Sequence, residues 1–313
     1  MKHQTTYDRH LIEKAVLVAI ESAPSVGRAE FRRQRDRCYE IVDPDLRDAD
    51  FDRLHRAWFL KLELGHPIEQ ALSESALLRR VRECRVVAAP SRARAHADLF
   101  DYGSGRDPGA PVETEGSRSG LLMLLRLTPE SFSNSENLLG FLRHECLHIS
   151  DMLDPAFGYR RELPASEVGP AYENVLRKRY CVVWDATIDG RLVRTGRAPG
   201  RVRTTRGAEF VRAFPALGAD ATREFERWFE GEQPTHGAIV DFIVRAPSTR
   251  ASSGGYCPIC RFPTARLDPN PSRLSGSAVR ELQLDRPGWQ PIDGLCVQCA
   301  DLYEARHTRF ATP

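Results

Sequence analysis

The chain has 313 residues, 45 of them basic and 43 acidic for a net charge of +2, with 41% apolar and 28% charged residues. That length leaves room for two or three domains, and the composition is that of globular protein rather than of a disordered or membrane chain. The charge balance excludes a general pull toward nucleic acid or anionic lipid, and the arginine-dense stretch 191–206 reads as a solvated face.

Apolar runs such as 15–20 and 120–125 are far too short to cross a bilayer. The first nine residues lack the basic-then-apolar pattern of a secretory signal, so the expectation is a cytoplasmic protein without membrane contact. Of the eight cysteines, four form two CxxC pairs near the C-terminal end, while Cys38, Cys84, Cys146 and Cys181 are scattered through apolar or helical contexts. That spacing suits a reducing compartment and one cysteine-bound metal better than a disulfide framework.

Residues 1–78 read as a helical N-terminal subdomain. Leu11, Ala15, Leu17 and Val18 recur at helical spacing over 7–21. Phe51, Leu54, Trp58, Phe59 and Leu62 do so over 48–64, ahead of Gly65. From 79 onward the pattern changes. Segments 81–89 and 121–127 predict strands, and the polar, glycine-rich 103–120 between them predicts an exposed loop. A helix over 135–153 follows, started by Ser133-Asn134-Ser135-Glu136 and stopped by Asp154-Pro155. After a loop over 154–170, a second helix spans 171–189, closed by Gly190, and shorter helices are expected at 208–214, 221–229 and 236–244. Segment 246–255 reads as a linker, and 256–313 is too small for a core without a staple. The fold class expected is α+β, mostly helical, with a small sheet.

The sharpest motif is His144-Glu145-Cys146-Leu147-His148. Histidines four apart on a helix lie about 40° apart on one face, so both imidazoles can reach one zinc ion. Glu145, beside the first histidine, can then take a proton from a zinc-activated water and pass it to a leaving amine. Leu138, Leu139, Leu142, Cys146, Ile149 and Leu153 fill the opposite arc, which predicts a core-facing side.

With strand 121–127 ahead of it and a second helix behind, the 120–190 region resembles the zincin metallopeptidases. The resemblance covers under a quarter of the chain. It implies a zincin-like metallohydrolase domain over 79–245, with strand 121–127 as the edge strand beside the motif helix. It also implies that His144 and His148 are zinc ligands and Glu145 the general base. The third ligand is left between carboxylates. Asp154 falls at the metzincin spacing, although Asp151 stands where that pattern has glycine. Glu173 would serve if a gluzincin-like arrangement held, and Asp151, Asp185 and Asp189 complete the candidates. Tyr159, Tyr172 and His236 are weighed as oxyanion partners against core packing, and packing is preferred.

Cys257-Pro258-Ile259-Cys260 and Cys296-Val297-Gln298-Cys299 supply the four thiolates of a closed tetrahedral zinc site, which leaves no position for a catalytic water. Their 35-residue separation must hold structure of its own. Helices are expected at 277–284 and 300–307, in a module (256–313) that resembles a treble clef or a zinc ribbon. Phe262, Trp289 and Tyr303 are available for a protein partner, and no interleaving of aromatic and basic residues supports nucleic acid. The sequence thus leads to a zinc-dependent metallopeptidase with a peptide or protein substrate and two zinc ions. The alternative is a non-catalytic adaptor built on an inactive zincin-like scaffold and the cysteine module.

Overall fold

The computed structural model describes residues 3–22, 24–101, 120–164, 170–246, 256–262, 264, 267–268 and 274–308. It divides into two compact units, one of residues 1–155 with 195–198, the other of 156–194 with 199–313.

In the first unit, strand β1 (Gln4–Tyr7) is followed by five helices, α1 (Arg9–Ser22), α2 (Ser25–Tyr39), α3 (Pro44–Lys61), α4 (His66–Glu74) and α5 (Leu77–Arg80). Strands β2 (Glu83–Ala88), β3 (His96–Asp101) and β4 (Leu121–Leu127) then lead to α6 (Ser135–Met152). The sheet order is β1-β2-β4-β3. β1 runs parallel to β2 and β2 to β4, while β3 runs antiparallel to β4 with Ala97 opposite Leu125. Strand 121–127 was expected at the edge beside the motif helix, but it is internal; the edges are β1 and β3. The reason is visible in the side chains. β4 buries Leu122, Met123, Leu125 and Leu127, which suits a strand paired on both sides, whereas β3 alternates His96 and Asp98 with Ala97 and Leu99.

Helices α3 and α6, and two in the second unit, start where a side chain satisfies one of the first backbone N–H groups. Asp43 accepts from Asp45 N (2.9 Å) and Leu46 N (3.1 Å) ahead of Pro44, which starts α3 four residues earlier than hydrophobic periodicity suggests. Asn134 caps α6 by accepting from Asn137 N at 2.8 Å. One continuous core joins Leu11, Ala15 and Val16 of α1, Ile68 and Leu72 of α4, Val86 of β2, Met123 and Leu125 of β4, and Leu142, Cys146 and Ile149 of α6. The N-terminal helices and the sheet therefore share one interior, and the first unit runs to Pro155. The loop 103–120 lies outside the described residues except for Gly120.

The second unit carries α7 (Pro170–Arg194), α8 (Val202–Ala213), α9 (Asp220–Glu230) and α10 (His236–Arg245). α7 does not stop at Gly190 but runs four residues further. A Cβ at Gly190 would stand 1.8 Å from the carbonyl oxygen of Phe229, so this glycine permits close approach of α9 instead of ending a helix. α9 buries Ala221, Phe225, Trp228 and Phe229, one stripe at helical spacing. All but Ala246 of the linker 246–255 lies outside the described residues. The C-terminal part holds β5 (Leu267–Asp268) antiparallel to β6 (Leu295–Cys296), α11 (Gly276–Asp285) and α12 (Val297–Thr308), around its own small core of Ile259, Leu282, Trp289, Leu295 and Tyr303 with three of the four cysteines. Among the described residues no helix is long and apolar enough to cross a membrane.

Candidate metal centres

The HExxH residues lie in the last half of α6, on a helix whose buried face is Leu138, Leu142, Cys146 and Ile149. The face opposite this stripe carries the two histidines. Their Nε2 atoms are 3.1 Å apart and their ring centroids 4.8 Å apart. Two nitrogens each about 2.05 Å from one tetrahedral zinc would stand about 3.3 Å apart, so the pair fits two corners of such a site. Glu145 is fixed from the side. Its Oε2 accepts from the backbone N–H of Ala97 at 2.7 Å. β3 is an edge strand, and this N–H points away from β4, so a strand that ends the sheet also holds the carboxylate. The sequence shows the alternation of His96–Asp101 but gives no signal that Ala97 would reach Glu145.

Two further contacts hold the motif helix. Arg143 donates to Glu74 of α4 twice, Nε to Oε2 at 2.7 Å and Nη2 to Oε1 at 2.8 Å, and its Nη1 donates to Arg197 O at 3.2 Å. The Arg143 hydrogen bonds hold the Glu74 carboxyl well below the usual range, at about 2. Burial pushes the Cys146 thiol up to about 12, so the cysteine inside the motif packs as an apolar residue and is no nucleophile.

The candidate third ligands differ in setting. Asp154 lies just past the end of α6, its N–H donating to Asp151 O at 3.1 Å. Asp151 is 1% exposed. Glu173 lies in the first turn of α7. Further along α7, Asp189 accepts from Arg206 Nε at 2.6 Å, whereas Asp185 lies 3.4 Å from Nη1 of the same arginine. Of the residues weighed as oxyanion partners, His236 is buried with Nδ1 2.7 Å from the Tyr180 hydroxyl, and Tyr159 stacks on Trp184 at 5.4 Å. His236 behaves as a core residue of the second unit, and the half-buried Tyr159 packs against it.

The four C-terminal cysteines come together: one Sγ from each of Cys257, Cys260, Cys296 and Cys299 lies within 4.8 Å of every other. Cys257 and Cys299 are 3.9 Å apart and Cys260 and Cys296 3.8 Å. Disulfides would need about 2.05 Å. Four sulfurs about 2.3 Å from a tetrahedral zinc stand about 3.8 Å apart, so the donor set fits that ion. The Cys299 thiol and backbone N–H groups, among them Cys296 N at 3.3 Å, lower the pKa of the Cys257 thiol and favour its thiolate. A Cys₄ group that can hold a metal is therefore present at the C-terminal end.

Comparison with known proteins gave no matching family model, no similar curated protein and no similar solved structure.

Proposed function

We propose that the chain is a zinc-dependent metallopeptidase in which His144, His148 and a carboxylate hold the catalytic ion and Glu145 is the general base. The observation that carries this reading is the convergence of the two Nε2 atoms at 3.1 Å beside a glutamate whose carboxylate is tied to an edge strand. Bound zinc supplies a Lewis acid that lowers the pKa of water toward ~7 and polarises a carbonyl. The histidines offer their Nε2 atoms from one helix face, and the core under α6 keeps that face fixed. The Ala97 N–H holds Glu145 Oε2, so the carboxylate keeps one orientation while its other oxygen takes a proton from water and returns it to the departing amine. Among the α7 carboxylates, Asp185 has the weaker tie to Arg206 and suits a ligand better than Asp189.

Metal content measured on purified wild type and on His144→Ala/His148→Ala is expected to fall from about two zincs per chain to about one. Asp154→Asn, Glu173→Gln and Asp185→Asn, measured in the same way, identify the carboxylate: the true ligand's variant loses zinc and the other two keep it. Peptide hydrolysis is expected in the zinc-loaded wild type and not in Glu145→Gln. Activity surviving in Glu145→Gln would overturn the mechanism, and a zinc-loaded wild type that cleaves nothing would leave the adaptor.

The cysteine module is read as a treble clef rather than a ribbon, because the second CxxC pair sits at the start of a helix, α12, after a short β5–β6 pairing. Its zinc is structural. Thiols kept for metal, not paired as disulfides, support a reducing, cytoplasmic setting.

A further inference from the structure

The turn between α3 and α4 shapes a cavity of about 350 Å³ that the peptidase reading does not use. Glu63 adopts a left-handed φ of 53° at this turn. At Gly65 a Cβ would stand 2.8 Å from Tyr7 Oη and 3.3 Å from Phe59 Cε1, so glycine lets the turn close over the two rings. Tyr7, Ile12 and Phe59 form the floor, with the Tyr7 and Phe59 ring centroids 5.0 Å apart and tilted by 58°. Leu60, Glu63 and Glu69 stand on the rim, and all three are exposed.

The charges on this rim do not cancel. Arg56, also on the rim, is already matched by Asp52 at 2.9 Å. Among the described residues neither Glu63 nor Glu69 has an ion-pair partner. Burial, with the charge of Glu69 added, pushes the Tyr7 phenol well above its usual range, so the aromatic floor carries a neutral hydroxyl.

We propose that this cavity binds an alkylammonium group, a protonated amine on a short aliphatic chain. The chain would lie on Ile12 and Leu60. The ammonium would sit over the Tyr7 and Phe59 rings, between the two rim carboxylates, where ring quadrupole and negative charge attract it together. An anion of the same length is repelled by Glu63 and Glu69, and a neutral alcohol gains only the apolar contact. The proposal is independent of the metal centres.

An NMR titration of the full chain with n-hexylammonium, n-hexanol and n-hexanoate at matched ionic strength tests it. Hexylammonium is expected to give saturable shifts at Tyr7 and across 59–69. Hexanol should bind at least about threefold more weakly and hexanoate not measurably. Glu63→Gln/Glu69→Gln should weaken hexylammonium at least about threefold and leave hexanol unchanged. Both carboxylates are exposed, so this variant is expected to keep the wild-type melting temperature. Cadaverine and N-acetyl-lysine amide, titrated alongside, distinguish a free diamine from a lysine side chain as the source. Equal binding of hexanol or hexanoate, unchanged affinity in the double variant, or no saturable shift at these residues with hexylammonium would overturn the proposal.

Discussion

At the scale of single residues, the α6 motif depends on groups that do not belong to it. Glu74 accepts both forks of Arg143, and each side chain is only 21% exposed. The Glu74 pKa is depressed in the folded chain, to about 2 from 4.5. A depressed carboxylate stabilises the fold above its unfolded pKa and loses that contribution as pH falls toward the folded one. The window here is therefore from about pH 4.5 down to about pH 2, and the contribution is on the order of 1–2 kcal/mol. Urea unfolding of wild type and Glu74→Gln at pH 7 and pH 3 checks this. The variant is expected to be less stable at pH 7, and the gap between the two proteins should narrow at pH 3. A gap that stays constant with pH would show that the pair contributes packing and no charge effect.

Glu145 shows how far a single residue was legible. Its place in HExxH follows from spacing alone, and the structure adds what spacing cannot carry, the Ala97 N–H that fixes the carboxylate. Replacing Ala97 by proline would remove that donor from an outward-facing edge position, where the loss breaks no bond to β4. If the peptidase reading holds, Ala97→Pro should keep two zincs and lower kcat about tenfold or more, with KM less affected, because the base is left without its orienting partner. Metal analysis together with steady-state kinetics checks it, and unchanged kcat would show that the Ala97 bond has no part in positioning Glu145.

At the scale of elements, helices with strong hydrophobic periodicity were legible and the terms set by distant contacts were not. α6 and α9 could be read because each has one apolar stripe and its own stop signals. β1 and β3 were not expected: β1 is four residues long, and β3 carries two charged residues among its six. Strand 121–127 could be recognised as a strand, but its central place depends on partners 20 or more residues away, which no local pattern encodes. Gly190 is the clearest case. Locally it is a helix terminator, and only the approach of Phe229 O gives it its role within α7. Gly190→Ala would force the α7 and α9 backbones apart and should destabilise the fold by about 1–3 kcal/mol or more, read from urea unfolding. Gly196→Ala offers a contrast, since nothing lies within 4 Å there and its cost comes from a positive φ of 68° alone.

At the scale of the whole molecule, the two candidate metal groups stand differently toward stability. The core under α6 is large and continuous, running from Leu11 to Ile149, and it does not need an ion to exist. Among the described residues the C-terminal core has nine buried residues, three of them cysteines of the Cys₄ group, and strands of two residues each. Such a core cannot offset the entropy of ordering its chain, whereas zinc on four thiolates contributes about 10–16 kcal/mol in small modules. Removing zinc with a strong chelator should therefore release amide protection at Leu282, Trp289 and Tyr303 while Leu142 and Ile149 stay protected. Cys296→Ser should have the same effect without chelator and reduce metal content by one. Hydrogen exchange read by mass spectrometry separates the outcomes. Protection persisting at Trp289 without metal would mean that the apolar core alone suffices and that the four sulfurs are not its staple.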